Sequence, residues 1–77
     1  MESGILINSL KAWKNYTSES KDLTNLVIQG INFKNENVDW SQFKYENTTF
    51  LSCAFNRNQA TEVISYGAIV YPKFKNL

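Results

Sequence analysis

Apolar and aromatic residues recur at every fifth position through the middle of this chain. From Val38 the blocks run Val-Asp-Trp-Ser-Gln, Phe-Lys-Tyr-Glu-Asn, Thr-Thr-Phe-Leu-Ser, Cys-Ala-Phe. The third place is aromatic (Trp40, Tyr45, Phe50, Phe55) and the first is apolar or small (Val38, Phe43, Thr48, Cys53), while the others are mostly polar. Going backward from Phe43, the step of five continues through Val38, Phe33, Ile28 and Leu23. In that earlier half the second inward set is Leu26 and Ile31, so the phase slips by two near Asn35-Glu36-Asn37. A period of five matches neither the α-helix nor the plain strand. It predicts a solenoid in which each short flat face takes one block and turns a corner before the next.

The flanks depart from this period. Ser3–Tyr16 reads as an amphipathic helix, with Ile5, Leu6, Ser9, Leu10, Trp13 and Tyr16 at three- and four-residue spacing and Ser3 as its N-cap. Thr17-Ser18-Glu19-Ser20 is a polar linker after it. The helix serves either as a cover for the open end of the solenoid or as a partner contact through Trp13 and Tyr16, and the cover is favoured. On the other side, Asn56-Arg57-Asn58-Gln59 reads as a loop. Val63-Ile64-Ser65-Tyr66 and Ala68-Ile69-Val70-Tyr71 then form one bent strand or two short ones around Gly67, stopped by Pro72. The division is thus one small domain, with residues 1–16 a capping helix, 22–58 the repeats, and 61–77 a C-terminal strand and tail. The many Asn residues of the repeat (Asn25, Asn32, Asn35, Asn37, Asn47) suit corners, because Asn tolerates left-handed backbone.

The blocks from Val38 to Phe55 resemble the pentapeptide-repeat family, whose usual block is a small residue, an Asp or Asn, a Leu or Phe, a polar residue and often Gly. The resemblance is looser over Leu23–Asn37 and covers roughly half the chain. It implies a mainly β fold: a right-handed four-sided β-helix of about two coils, with the N-terminal helix as a cap and a C-terminal strand. Phe43 is large for a slot that the family keeps small. The long acidic rod by which some members imitate DNA has no counterpart in this short and nearly neutral chain.

Composition narrows the chemistry. Seventy-seven residues allow one domain with a thin core. There is one cysteine, Cys53, so no internal disulfide, and no histidine, which removes the commonest general base and zinc ligand. Eight Lys or Arg against seven Asp or Glu leave no basic stripe for nucleic acid. No run reaches transmembrane length and no signal peptide is legible, so neither a membrane nor export is expected, and the single thiol suits a reducing cytoplasm. Cys53 in an inward slot reads as an inert thiol, and Asp39 with Glu46 as solvated surface rather than an acid–base pair. The expectation is therefore no enzyme, no catalytic residue, no cofactor and no metal.

What remains is binding. The chain reads as a protein-interaction module, a small phage- or plasmid-type inhibitor of another protein. The alternative is an accessory domain cut from a larger polypeptide that orients a separate functional domain. Val63–Tyr71 is the most β-prone run, with apolar residues on both alternating sets, so it expects cover on both faces. Its unpaired edge is a template for another chain, and this segment, with Tyr66, Tyr71, Phe74 and the Lys73–Leu77 tail, is the expected contact, in a two-fold dimer or at the partner site, with Trp13 and Tyr16 as further candidates. A terminal strand packed wholly within the monomer is the competing reading.

Overall fold

The structure is a computed structural model that describes residues 6–72. The expected N-cap Ser3, the helix residue Ile5, the candidate contact Phe74 and the Lys73–Leu77 tail all lie outside those residues. In chain order the elements are β1 (Leu6–Ile7), α1 (Leu10–Glu19), β2 (Val27–Gln29), a 3-10 turn (Trp40–Gln42), β3 (Thr49–Leu51), α2 (Arg57–Ser65) and β4 (Ile69–Tyr71).

The four strands form one parallel sheet in the order β1-β2-β3-β4. Leu6 pairs with Val27, Val27 with Thr49, and Thr49 with Ile69. Parallel neighbours need a crossover, and two of the three crossovers here are helical: α1 between β1 and β2, and α2 between β3 and β4. The molecule is therefore a small α/β protein. This corrects the expectation of a mainly β right-handed pentapeptide β-helix with one capping helix. No strand exceeds three residues, whereas the helices have ten and nine. The reason lies in the flanks, where local helical signals outcompete extended pairing.

At the first flank the helix starts later than the apolar spacing suggests. Leu6 and Ile7 are taken into the sheet beside β2. Ser9, in an extended conformation, then caps the helix by accepting from the Ala12 N–H at 3.1 Å. Thr17-Ser18-Glu19, expected as linker, is the last turn of α1. Trp13 is the buried residue of α1, 3% exposed, and it sits among the core rings: 5.1 Å from Phe33, 5.8 Å from Trp40 and 5.4 Å from Phe43.

At the second flank the expected loop and strand are a single helix. The Asn56 side chain accepts from the Gln59 N–H, and the Gln59 side chain accepts from the Asn56 N–H, which is a reciprocal capping box. Ala60 and Val63, three apart, turn inward with no exposure. Val63-Ile64-Ser65 is thus helical. Ile69–Tyr71 is the strand, and Gly67, at φ +102°, makes the turn between them.

Between the flanks, the five-residue spacing is realised as a three-plus-two alternation of buried side chains. Leu23, Leu26, Ile28, Ile31 and Phe33 form one series, and Trp40, Phe43, Tyr45, Thr48, Phe50 and Phe55 the other. The two series are offset by 22 residues, as shown by the pairings Asp22 with Lys44, Val27 with Thr49, and Asn32 with Ala54. The two residues beyond a multiple of five are the phase slip near Asn35–Asn37. Corners stack in the same register: Asn25 and Asn47, at φ 65° and 56°, are joined by a side-chain hydrogen bond of 2.8 Å, and Gly30 lies in line with Ser52, at φ 71° and 57°. Asp22, Asn32 and Asp39 each accept from the backbone N–H two residues on, a local bond that holds the chain in a turn.

Candidate functional site

The alternation along each strand sorts the sheet into two faces. Ile7, Ile28 and Phe50 point into the core at 2%, 0% and 0% exposure, and Val70 packs against them. Leu6, Val27, Gln29, Thr49, Leu51, Ile69 and Tyr71 therefore point outward. Both helices bury their side chains in the interior occupied by the inward row, Trp13 from α1 and Ala60 and Val63 from α2. No described element lies over the outward row. Leu6 remains 52% exposed, Ile69 49% and Tyr71 62%. A parallel sheet ordinarily has both faces covered, so a face that no described element covers is the unusual surface among the described residues.

The face is also uncharged. None of the four strands contains a charged residue. Charge is distributed over α1 (Lys11, Lys14, Glu19), the turns around Asp22 and Lys44, the Lys34–Asp39 loop, and α2 (Arg57, Glu62).

The edge beside β4 is a weaker docking feature than the face. Ile69 donates its N–H to the Thr48 carbonyl at 2.8 Å, and the Tyr71 carbonyl accepts from the Ser52 N–H at 2.7 Å. Residues 69 and 71 are thus bonded toward β3, which leaves the N–H and carbonyl of Val70 facing away. The Ala68 N–H is occupied by the Val63 carbonyl, and Pro72 has none. An added strand would find one donor and one acceptor. A short edge closed by proline is a protected edge. This changes the sequence expectation, in which the unpaired backbone of Val63–Tyr71 was the template.

The candidate contact residues are placed differently from one another. Trp13 is withdrawn into the core. Tyr16 is half-buried, and its hydroxyl donates to the Asp22 carbonyl at 2.6 Å, pinning α1 to the first corner. Tyr66 is 43% exposed and stacks on Tyr45, with ring centres 5.7 Å apart. Its hydroxyl donates to the Glu62 carboxylate at 3.2 Å. Its partial desolvation, then that carboxylate, raise its pKa above the ordinary tyrosine value. Tyr71 lies on the outward sheet face. Tyr66 and Tyr71 thus mark two surfaces, the end of α2 and the sheet. Sequence reasoning missed Leu6 and Leu51, because the face joins residues 20 to 22 positions apart that only the strand register brings together.

A concavity of about 330 Å³ lies where the phase slip occurs, between the Lys34–Val38 loop and the first turn of α2. Asn35, Asn37, Asn58, Glu36 and Glu62 line it. Its most buried polar group is structural: the Gln59 amide donates to the carbonyls of Phe33 at 2.6 Å and Glu36 at 3.3 Å. Cys53, half-buried, donates its thiol to the Ile28 carbonyl at 3.2 Å, and burial raises its pKa, both of which suit an inert side chain. Among the described residues, no three His, Cys, Asp or Glu side chains cluster as metal ligands, and no helix is long and apolar enough to cross a membrane. Comparisons with protein-family models, curated proteins and solved structures found no match.

Proposed function

We propose that this chain is a protein-interaction module that docks through the outward face of its parallel sheet. The observation that carries the reading is the uncharged row Leu6, Val27, Thr49 and Ile69, flanked by Leu51 and Tyr71, with no described element over it. Exposed apolar side chains are ordinary when scattered, but a contiguous patch on one face signals a contact. Aromatic and aliphatic residues supply the desolvated centre of such contacts, and Tyr71 is the most exposed large apolar side chain among the described residues. The single cysteine fits a reducing compartment such as the cytoplasm.

The test uses the outward positions, which substitution can change without emptying the core. Ile69→Lys and Tyr71→Glu should keep the wild-type far-ultraviolet circular dichroism and thermal midpoint, yet lose retention of any binding protein on the immobilised chain. If both variants retain that protein with wild-type affinity, the sheet face is not the docking surface. If either variant unfolds, the residue belongs to the fold, and the reading fails for that position.

A further inference from the structure

We infer that the concavity between the Lys34–Val38 loop and α2 binds a neutral polyhydroxylated ring, a free monosaccharide or the end of a glycan. It shares no residue with the outward sheet row, so its test is independent of the docking test.

The feature that points to a ligand is Trp40. It is 2% exposed and belongs to the aromatic core, yet it lines the concavity. Its indole N–H has no partner among the described residues, where every fully buried side-chain nitrogen and oxygen is hydrogen-bonded. The N–H is therefore not sealed in, and the concavity is where Trp40 meets the surface. Trp13, Phe33 and Phe55 pack against the ring, so this donor is fixed in direction before any ligand arrives. Around it, the side-chain amides of Asn35, Asn37 and Asn58 also make no hydrogen bond among the described residues. They differ in this from Asn56 and Gln59, whose side chains form the capping box.

Charge decides the class of ligand. Glu36 and Glu62, both half-buried, line the concavity and repel an anion. A cation meets the positive end of α2, the Lys34 ammonium and the indole N–H. Both carboxylates are also engaged, Glu36 with the Lys14 ammonium at 3.6 Å and Glu62 with the Tyr66 hydroxyl at 3.2 Å. A neutral ligand that donates and accepts at neighbouring atoms meets neither obstacle. Each hydroxyl does both, and each asparagine amide answers with a donor group and an acceptor. The volume, about 330 Å³, is at the small end of small-molecule sites and suits a single ring. Val38 gives an apolar wall for its C–H groups. So open a site binds weakly, with a dissociation constant on the order of 1–10 mM.

The test is a titration of the whole chain, labelled with nitrogen-15, followed by nuclear magnetic resonance. The probes are D-glucose, D-galactose, D-mannose and N-acetyl-D-glucosamine, each to about 100 mM, and their methyl α- and β-glycosides. The Trp40 indole signal is identified by its through-space contact with Phe55, 5.9 Å between ring centres. At least one sugar should move that signal along a saturating curve, and move it further than the Trp13 indole signal. Asn37→Ala and Asn58→Ala, at exposed positions, should keep the wild-type circular dichroism and each raise the dissociation constant at least about fivefold. A methyl glycoside that binds as its free sugar does assigns a glycan end, because the anomeric carbon then carries a substituent. Binding of free sugars alone assigns a monosaccharide.

The inference is overturned if none of the sugars gives a saturating shift of the Trp40 signal. It is overturned equally if sodium acetate or ammonium chloride at the same concentration moves that signal as far, since the ligand is then an ion. It also falls if both asparagine variants bind the sugar as wild type does.

Discussion

Removing the Gln59 side chain should loosen the molecule far more than an ordinary polar substitution on a helix. Gln59 occupies the first turn of α2 and is 9% exposed. Its side-chain oxygen accepts from the Asn56 N–H at 2.9 Å, and its nitrogen donates to the Phe33 carbonyl at 2.6 Å and the Glu36 carbonyl at 3.3 Å. It therefore both caps α2 and ties the helix to the loop where the buried pattern slips phase. Gln59→Leu preserves bulk and removes all three bonds. The lost cap costs about 1 kcal/mol. The Phe33 carbonyl keeps the Glu36 N–H at 3.0 Å and loses its second donor, at a cost of about 0.5–1.5 kcal/mol. The sum, about 1.5–2.5 kcal/mol, compares with the roughly 5–15 kcal/mol that keeps a domain folded. At about 4–8 °C per kcal/mol for a chain of this size, the thermal midpoint should fall by roughly 6–20 °C. Far-ultraviolet circular dichroism and tryptophan fluorescence, followed in heat and in urea, measure it. Asn56→Ala separates the contributions, since it removes the cap alone and should cost only about 1 kcal/mol. Gln59→Glu adds a sign test. At neutral pH its carboxylate faces two carbonyls, so its folded pKa is raised and the neutral form is favoured. Its stability should be highest below the ordinary carboxyl pKa of about 4.3 and should decline as pH rises through the raised value. The reasoning is refuted if Gln59→Leu melts within about 0.5 kcal/mol of wild type, or no lower than Asn56→Ala.

Three further outcomes are expected. Phe50→Asp places an unpaired carboxylate among Trp13, Phe33, Trp40 and Phe55, at a cost of several kcal/mol, and should give an unfolded chain by near-ultraviolet circular dichroism; a melt near wild type would sink the inward assignment. Burial, then the Glu62 carboxylate, raise the pKa of the Tyr45 hydroxyl, which donates to the Trp40 carbonyl at 2.6 Å, so stability is fully present below about pH 10 and is lost as pH rises toward the folded value; Tyr45→Phe should be flatter in urea midpoint between pH 9 and 11, and equal slopes would contradict this. Asn47→Gly should be close to neutral at the left-handed corner, whereas Asn47→Ala should cost about 1–2 kcal/mol from the backbone strain, and equal melts of the two would mean that the corner is not strained.

The buried set of the middle segment was legible because every member repeats at a fixed step. Trp40, Tyr45, Phe50 and Phe55 are inward, and the slip of two at Asn35–Asn37 is the two-residue excess of the 22-residue offset. The architecture was not legible, because the flanks decide it by short local signals that the period conceals. Asn56 and Gln59 are spaced as a capping box, but next to Arg57 and Asn58 they pass for loop residues. Val63 and Ile64 have strand propensity, yet Val63 follows Ala60 by three on the inner side of a helix that was already nucleated. Ser9, which the spacing placed within the helix, is its N-cap, because Leu6 and Ile7 pair with β2, a tertiary term that periodicity does not carry. Of the candidate site, Tyr71 was found through its place in a β-prone run. Leu6, Leu51 and Ile69 belong to the same surface only through strand register.

β1 and β4 are the two outer strands of a sheet whose order follows the chain. A load applied between them therefore acts across the strands and meets the interstrand bonds one row at a time, in the manner of a zip. Pulled in this way, the molecule should yield at low force, and in steps. Each lost pairing frees the segment of 20 to 22 residues between paired positions, from Leu6 to Val27, Val27 to Thr49 or Thr49 to Ile69. A freed segment is roughly 70 Å of extended chain.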